Sequence, residues 1–271
     1  MTVKPLNREN RLTFSKILVA FLSGFILGWV AGLVGAGGGE FRIPILLHVL
    51  GLPLLTMIPV NLLVGLLTVS VSFVKRFQLG LWNQDSLRVS LVMSVASIVG
   101  AYLGAELTGR IPEKPLKVML SILLITVGLK IMAEPLAQPS ANSCLKLGFI
   151  EEFLIALSAG LAIGIISGMF GVAGGEFRIP VLMYVFGFNV ITAGTVSLLI
   201  SIPTIASGLV KHYDMKHLNK DAVVIAITMG AGSVFGAFAG ALYVETVGES
   251  LIKIILGAIL ILVAIRMMIK H

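Results

Sequence analysis

The sequence predicts an all-α integral membrane protein made of two pseudo-symmetric repeats, each of about four transmembrane helices plus a short broken or re-entrant helix. Three observations carry this reading. Of 271 residues, 57% are hydrophobic and only 12% charged, with a mean hydropathy of +1.04, whereas a soluble domain carries about 25% charged residues. Several apolar stretches approach or exceed the ~20 residues that cross a bilayer as a helix. They lack the ~10-residue alternation of a membrane barrel, so helices are left to satisfy the backbone in lipid. Third, the chain is written twice. Gly38-Gly39-Glu40-Phe41-Arg42-Ile43-Pro44 returns as Gly174-Gly175-Glu176-Phe177-Arg178-Ile179-Pro180 at an offset of 136 residues, and between Gly28 and Leu52 13 of 25 positions are identical across the repeat.

In chain order, residues 1–13 read as a cytoplasmic tail at the head of a first repeat covering 1–133. Spans are expected near 15–35, 54–75, 86–109 and 116–133. Residues 134–148 (EPLAQPSANSCLKLG) are polar and Pro-containing, a linker. The second repeat, 149–271, has spans near 151–171, 190–210, 221–244 and 250–269. After the first span of each half comes a Gly-rich turn and a short apolar piece, Ile43–Leu50 and Ile179–Phe186. About 8 residues make ~12 Å of helix, too short for a ~30 Å core. This favours four spans plus a half-helix in each half, with inverted halves of five segments as the alternative. Lys and Arg counts do not separate the two: the inner side holds 14 of 20 in the first case and 13 in the second, and either agrees with a positive cytoplasmic face. Both readings put the termini in the cytoplasm. Four spans per half also put Lys75, Arg76 and the basic loop from Lys211 to Lys220 there, with His212 and His217 in that loop.

The net charge of +7 belongs to the segments between spans and is no sign of nucleic acid. Cys144, the only cysteine, excludes an internal disulfide or a cysteine metal cluster. The basic start leads into an apolar run too long for a cleavable signal. No metal-ligand spacing, nucleophile–base pair or nucleotide-binding motif is visible, so neither an enzyme nor a cofactor is expected.

The chemistry is concentrated in the doubled motif. Gly38 and Gly39, with Gly174 and Gly175, let the backbone turn its N–H groups inward, and a helix start near Ile43 adds free donors and partial positive charge. Together these suit an anion. The alternative role for the glycines is tight packing alone. Arg42 and Arg178 can hold an oxyanion through two parallel hydrogen bonds. Glu40 and Glu176 offer a counter-charge and a site for proton coupling. The competing reading is an interfacial ion pair, with the arginines snorkelling. On the next helix Asn61, Gly65, Thr68 and Ser72 fall on one face, as do Ser197, Ser201, Thr204 and Gly208 at the repeat offset. Such a stripe suits either a path for a polar solute or hydrogen bonds between helices. Asn61, Thr68, Ser197, Ser201 and Thr204 join the candidate substrate-binding residues. Pro44, Pro180 and Pro203 mark expected helix breaks. Gly28/Gly32, Gly100/Gly104, Gly164/Gly168 and Gly236/Gly240 read as close-packing GxxxG pairs.

Two copies of a Gly-rich stretch running into Pro44-Ile45-Leu46 and Pro180-Val181-Leu182, in a membrane chain of this length, resemble the TauE/SafE family. The resemblance extends from about Phe14 to Met268. It implies a secondary transporter in a bacterial-type inner membrane that exports sulfite or a short organosulfonate. Ala173 stands where the first copy has Gly37, so the halves are expected to contribute unequally. The residues alone specify only a small anion as partner, held within the lipid bilayer and with proton coupling open. They also leave a passive anion channel and a structural subunit as alternatives.

Overall fold

A computed structural model describes residues 14–108, 113–136, 148–215 and 220–269, and the expected tail and most of the linker lie outside this range. The described chain is helical, with no strand. Helices α1 (Phe14–Val34), α3 (Leu54–Gln78), α4 (Asp85–Leu107) and α5 (Glu113–Ala133) are followed by α6 (Phe149–Phe170), α8 (Val190–Asp214), α9 (Lys220–Leu242) and α11 (Glu249–Ile269). These match the expected spans. Two short helices stand at equivalent places: α2 (Gly39–Pro44), continued as a π-helix over Ile45–Val49, and α7 (Gly175–Tyr184). A further short helix, α10 (Val244–Val247), precedes α11. Among the described residues, six helices are long and apolar enough to cross a membrane: 14–34, 55–78, 86–107, 149–170, 190–214 and 222–242. Helices α5 and α11 have similar length, with Lys130 near the end of α5 and Glu249, Lys253 and Arg266 in α11.

Glycine sets the closest helix contacts. Along α1, an added Cβ at Gly24, Gly28 or Gly32 would strike the backbone of Met229, Ser233 or Ala237 in turn, and Gly232, Gly236 and Gly240 of α9 stand as close to Phe21, Phe25 and Trp29. The paired positions rise together, so α1 and α9 are parallel. The equivalent seam joins α6 to α4, with Gly160, Gly164 and Gly168 against Met93, Ser97 and Ala101. The GxxxG pairs therefore serve packing, and each one joins helices from different halves.

The relation between the halves is that of the alternative reading, inverted repeats of five segments. Helices α3 and α8 occupy equivalent places in the repeat, yet they are antiparallel: Arg76 reaches Ile191 and Thr195, while Leu62 lies beside Gly208. The same holds for α5 and α11, where Glu134 pairs with Lys253 and Gly128 faces Leu260 and Ile261. Equivalent helices running in opposite directions define inverted repeats. The cause is the glycine turn. Arg76, near the end of α3, touches Gly32 and Leu33 near the end of α1, so α1 and α3 point the same way. The intervening loop and short helix must carry the chain back, and they count as a fifth segment.

Lys75 and Lys211 consequently sit at opposite ends of the bundle, not on one face. Lys75 lies over Phe238; Lys211 lies over Tyr102 and pairs with Glu106. Arg76 and His212 are fully buried, not part of a solvated loop. In a Cys144→Ala background, Lys75→Cys and Tyr213→Cys should be labelled by an impermeant thiol reagent from opposite sides of the membrane. Labelling of both from the same side would contradict the inverted arrangement.

Candidate functional site

The two glycine turns meet at the middle of the bundle. Helix α1 ends at Val34 and α6 at Phe170. Each is followed by a glycine in the left-handed region, Gly35 at φ +89° and Gly171 at φ +68°, where a side chain would be strained. The turns then cross closely. A Cβ on Gly175 would collide with the Ala36 carbonyl, and one on Gly37 would lie 2.5 Å from the Ala173 methyl. Ser167 donates a short hydrogen bond to the Val172 carbonyl and staples the second turn.

From this crossing the short helices depart toward opposite ends. They start at Gly39 and Gly175, not near Ile43, so Glu40 and Glu176 lie in their first turns. This arrangement suits the partial positive charge of a helix start. The backbone turns at glycine, not at proline: α7 continues through Pro180 and α8 through Pro203, while α2 passes from α to π geometry after Pro44. A proline at the sixth helical position removes one intrahelical donor.

Glu40, Arg42, Glu176 and Arg178 are all buried, the arginines at 1% and 0% exposure. The interfacial ion-pair reading does not describe them. Arg42 is fully held: Nε donates to Asn61 Oδ1 at 3.0 Å, Nη1 to Thr68 Oγ1 at 3.0 Å, and Nη2 to the Gly37 carbonyl at 2.7 Å. Asn61 Nδ2 donates in turn to the carbonyls of Gly39, at 3.1 Å, and Gly171, at 2.8 Å. One amide thus joins the two turns.

The second half is built on the same plan but is incomplete. Arg178 uses only Nη1, which donates to Ser201 Oγ at 2.7 Å and to the carbonyls of Ser197 and Ala173. Arg178 Nε and Nη2, Ser197 Oγ and both carboxylate oxygens of Glu176 are buried without a partner. Thr204 donates to the Ile200 carbonyl, as Thr68 does to that of Val64, but unlike Thr68 it accepts no bond from the arginine of its half. Glu176 lies within electrostatic reach of Glu40, Arg42 and Arg178, and Glu40 within reach of Arg266 on α11. Beside Gly38, Glu176 borders a cavity of about 10 Å³ lined by Leu27, Phe41 and Ile259 among others, room for about one water molecule.

Two residues outside the motif complete the frame, and sequence reasoning placed both at a solvated surface. Arg76 donates through Nε to the Gly32 carbonyl, Nη2 to Leu33 and Nη1 to Ile191 and Thr195 Oγ1. It caps the carbonyl end of α1 and ties it to α8. His212 stands at the equivalent position and lies 3.3 Å from the Gly168 carbonyl through Nε2. The available signal was the repeat offset, which pairs Arg76 with His212 and Gly32 with Gly168.

This fold and centre define a polytopic membrane protein of inverted halves, with its charged groups gathered where two short helices begin. Comparison with known proteins makes the assignment. The family described as Sulfite exporter TauE/SafE matches residues 2–131 and 154–271, and the chain belongs to that family of membrane transporters. It is similar to the "Probable membrane transporter protein ORF9" of Sinorhizobium sp, at 29% identity covering 95% of this chain and 94% of the relative. It is also similar to the "Probable membrane transporter protein YdhB" of Bacillus subtilis, at 26% identity over 88% and 92%. No solved structure matches.

Proposed function

We propose that this protein is a gradient-driven secondary transporter that exports a small sulfur oxyanion, sulfite or a short organosulfonate, across the inner membrane, with both termini in the cytoplasm. The observation that carries the reading is the buried pair of Arg–Glu motifs where two short helices start. Charge inside a membrane chain is costly and marks a functional pathway, and opposed broken helices at mid-depth are a recurring design of secondary transporters. Arg178 and the helix starts supply positive character for the anion. The family description points to the sulfur oxyanion. Glu40 and Glu176 supply the counter-charge, and a proton taken up by Glu176 offsets the charge of the arriving anion, so that the anion's own outward gradient drives export. Asn61 and Thr68 order Arg42, Ser201 orders Arg178, and the hydroxyls of Ser197 and Thr204 line the same path.

The test is flux in liposomes containing the purified protein, with sulfite, sulfoacetate, acetate and chloride as solutes. We expect saturable uptake of at least one sulfur oxyanion, counterflow from loaded vesicles, and acceleration by a proton gradient. Steady anion conductance without counterflow would replace the transporter by a channel. Absence of flux for every solute would end the reading and return the motif to a structural role.

A further inference from the structure

We infer that the anion site is one-sided: the Nε–Nη2 edge of Arg178, with the Ser197 hydroxyl, receives the anion, while Arg42 is its filled, structural counterpart. This inference rests on the small-anion reading above and names the residue that would carry it. It starts from one repeat-related substitution. Asn61 and Ser197 occupy the same place in the two halves, 136 residues apart. In the first half the Asn61 carboxamide lies against Arg42, its oxygen accepting from Nε and its nitrogen reaching the Gly39 and Gly171 carbonyls. In the second half the shorter serine leaves Nε of Arg178 without an acceptor and its own hydroxyl without a partner, and the Ala173 carbonyl, equivalent to the Gly37 carbonyl that meets Arg42 Nη2, accepts from Nη1, so Nη2 of Arg178 is bare as well.

Compensation elsewhere is confined to Nη1. Gly65 of the first half is replaced by Ser201 in the second, and Ser201 Oγ takes the bond to Nη1 that Thr68 makes to Arg42. Nothing in the second half substitutes for the amide oxygen. The missing group is therefore specific in chemistry and size: an acceptor with oxygens for Nε and Nη2, about as large as a carboxamide. A head group with two terminal oxygens on one atom, as in sulfite, sulfonate or carboxylate, meets both conditions, because the guanidinium fork pairs with two oxygens at once. A halide offers only one point of contact. The site is walled by the start of α7, with Gly174 close to Arg178 Nη2, at 3.6 Å from an added Cβ.

Asn61 and the Gly37 carbonyl together hold permanently, in the first half, the position that a ligand occupies in the second. Exchanging the two residues' roles tests this. Binding of sulfite, sulfoacetate, acetate and chloride to detergent-purified full-length protein would be measured by calorimetry, with the thermal midpoint of each variant read in parallel. Ser197→Asn should keep a folded protein and weaken oxyanion binding by about tenfold or more, the loss of one charge-assisted hydrogen bond. Arg178→Lys should do the same, while Arg42→Lys lowers the thermal midpoint and leaves affinity within about threefold, less than the tenfold of one lost bond. Chloride should not compete. If Ser197→Asn binds as the wild type does, or if Arg42→Lys weakens binding as much as Arg178→Lys, the one-sided assignment is overturned and the transporter reading stands. If the wild type binds none of the oxyanions, both fall together.

Discussion

Replacing Arg76 by methionine is expected to leave little folded protein. Arg76 is fully buried and meets four acceptors on two other helices: the Gly32 and Leu33 carbonyls of α1, and the Ile191 carbonyl and Thr195 hydroxyl of α8. Methionine fills a comparable volume but donates no hydrogen bond. The last carbonyls of α1 have no intrahelical partner, so their satisfaction depends on this side chain. Each buried acceptor left unsatisfied costs about 1–3 kcal/mol, and several together are a large part of a total stability of ~5–15 kcal/mol. Arg76→Lys should fare little better, because one ammonium cannot span acceptors on two helices as a planar fork does. The steric setting adds to this: a Cβ on Gly194 would lie 2.8 Å from Arg76 Nη1. Monodisperse yield on size exclusion and the thermal midpoint measure the effect, and a midpoint near wild type for Arg76→Met would contradict it.

Glu176→Gln is expected to uncouple transport from the proton gradient. Both carboxylate oxygens of Glu176 are without a partner, and Glu40, Arg42 and Arg178 lie within electrostatic reach. Glutamine keeps the shape and is permanently uncharged. If one proton accompanies each anion, wild-type affinity should rise as pH falls, by up to about tenfold per pH unit, the limit for a single linked proton. In the variant this slope should flatten, with binding retained and acceleration by an imposed proton gradient lost. The same slope in the wild type and in Glu176→Gln, measured by binding across pH 5 to 8, would remove Glu176 from coupling. Glu40→Gln is the companion measurement, since Glu40 faces Arg266 from α11 and so has a different electrostatic setting from its counterpart.

Much of the architecture could be read from the chain because lipid imposes simple demands. Eight apolar runs became eight long helices, and the repeat placed the motif at equivalent points in each half. Direction was not legible. The two topologies differ by one basic residue in the inside count, too small a margin for the positive-inside rule to resolve. The short segment was also misjudged at its start. Gly39-Glu40-Phe41 and Gly175-Glu176-Phe177 have no apolar periodicity, yet they form the first helical turn because the glycines before them supply the reversal. Arg76 and His212 were hidden by their neighbours: each follows a lysine near the end of a helix, where a basic pair ordinarily marks the interface. Their burial is a tertiary effect, set by carbonyls 44 residues away along the chain in both cases. The difference between Arg42 and Arg178 was written in the sequence as Asn61 against Ser197, but its meaning required seeing which atom of the guanidinium each residue faces.

The exchanged glycine seams have a consequence for how the protein is made. Gly24 of α1 accepts a hydrogen bond from Ser233 of α9, 209 residues later. The first helix therefore enters the membrane with its close-packing face uncovered and must wait until most of the chain has been synthesised. A ribosome pausing after residue 148 would leave α1 without its seam, although α4 and the other early helices are already inserted. Neither half can cover its close-packing seams alone, since each seam pairs a helix of one half with a helix of the other.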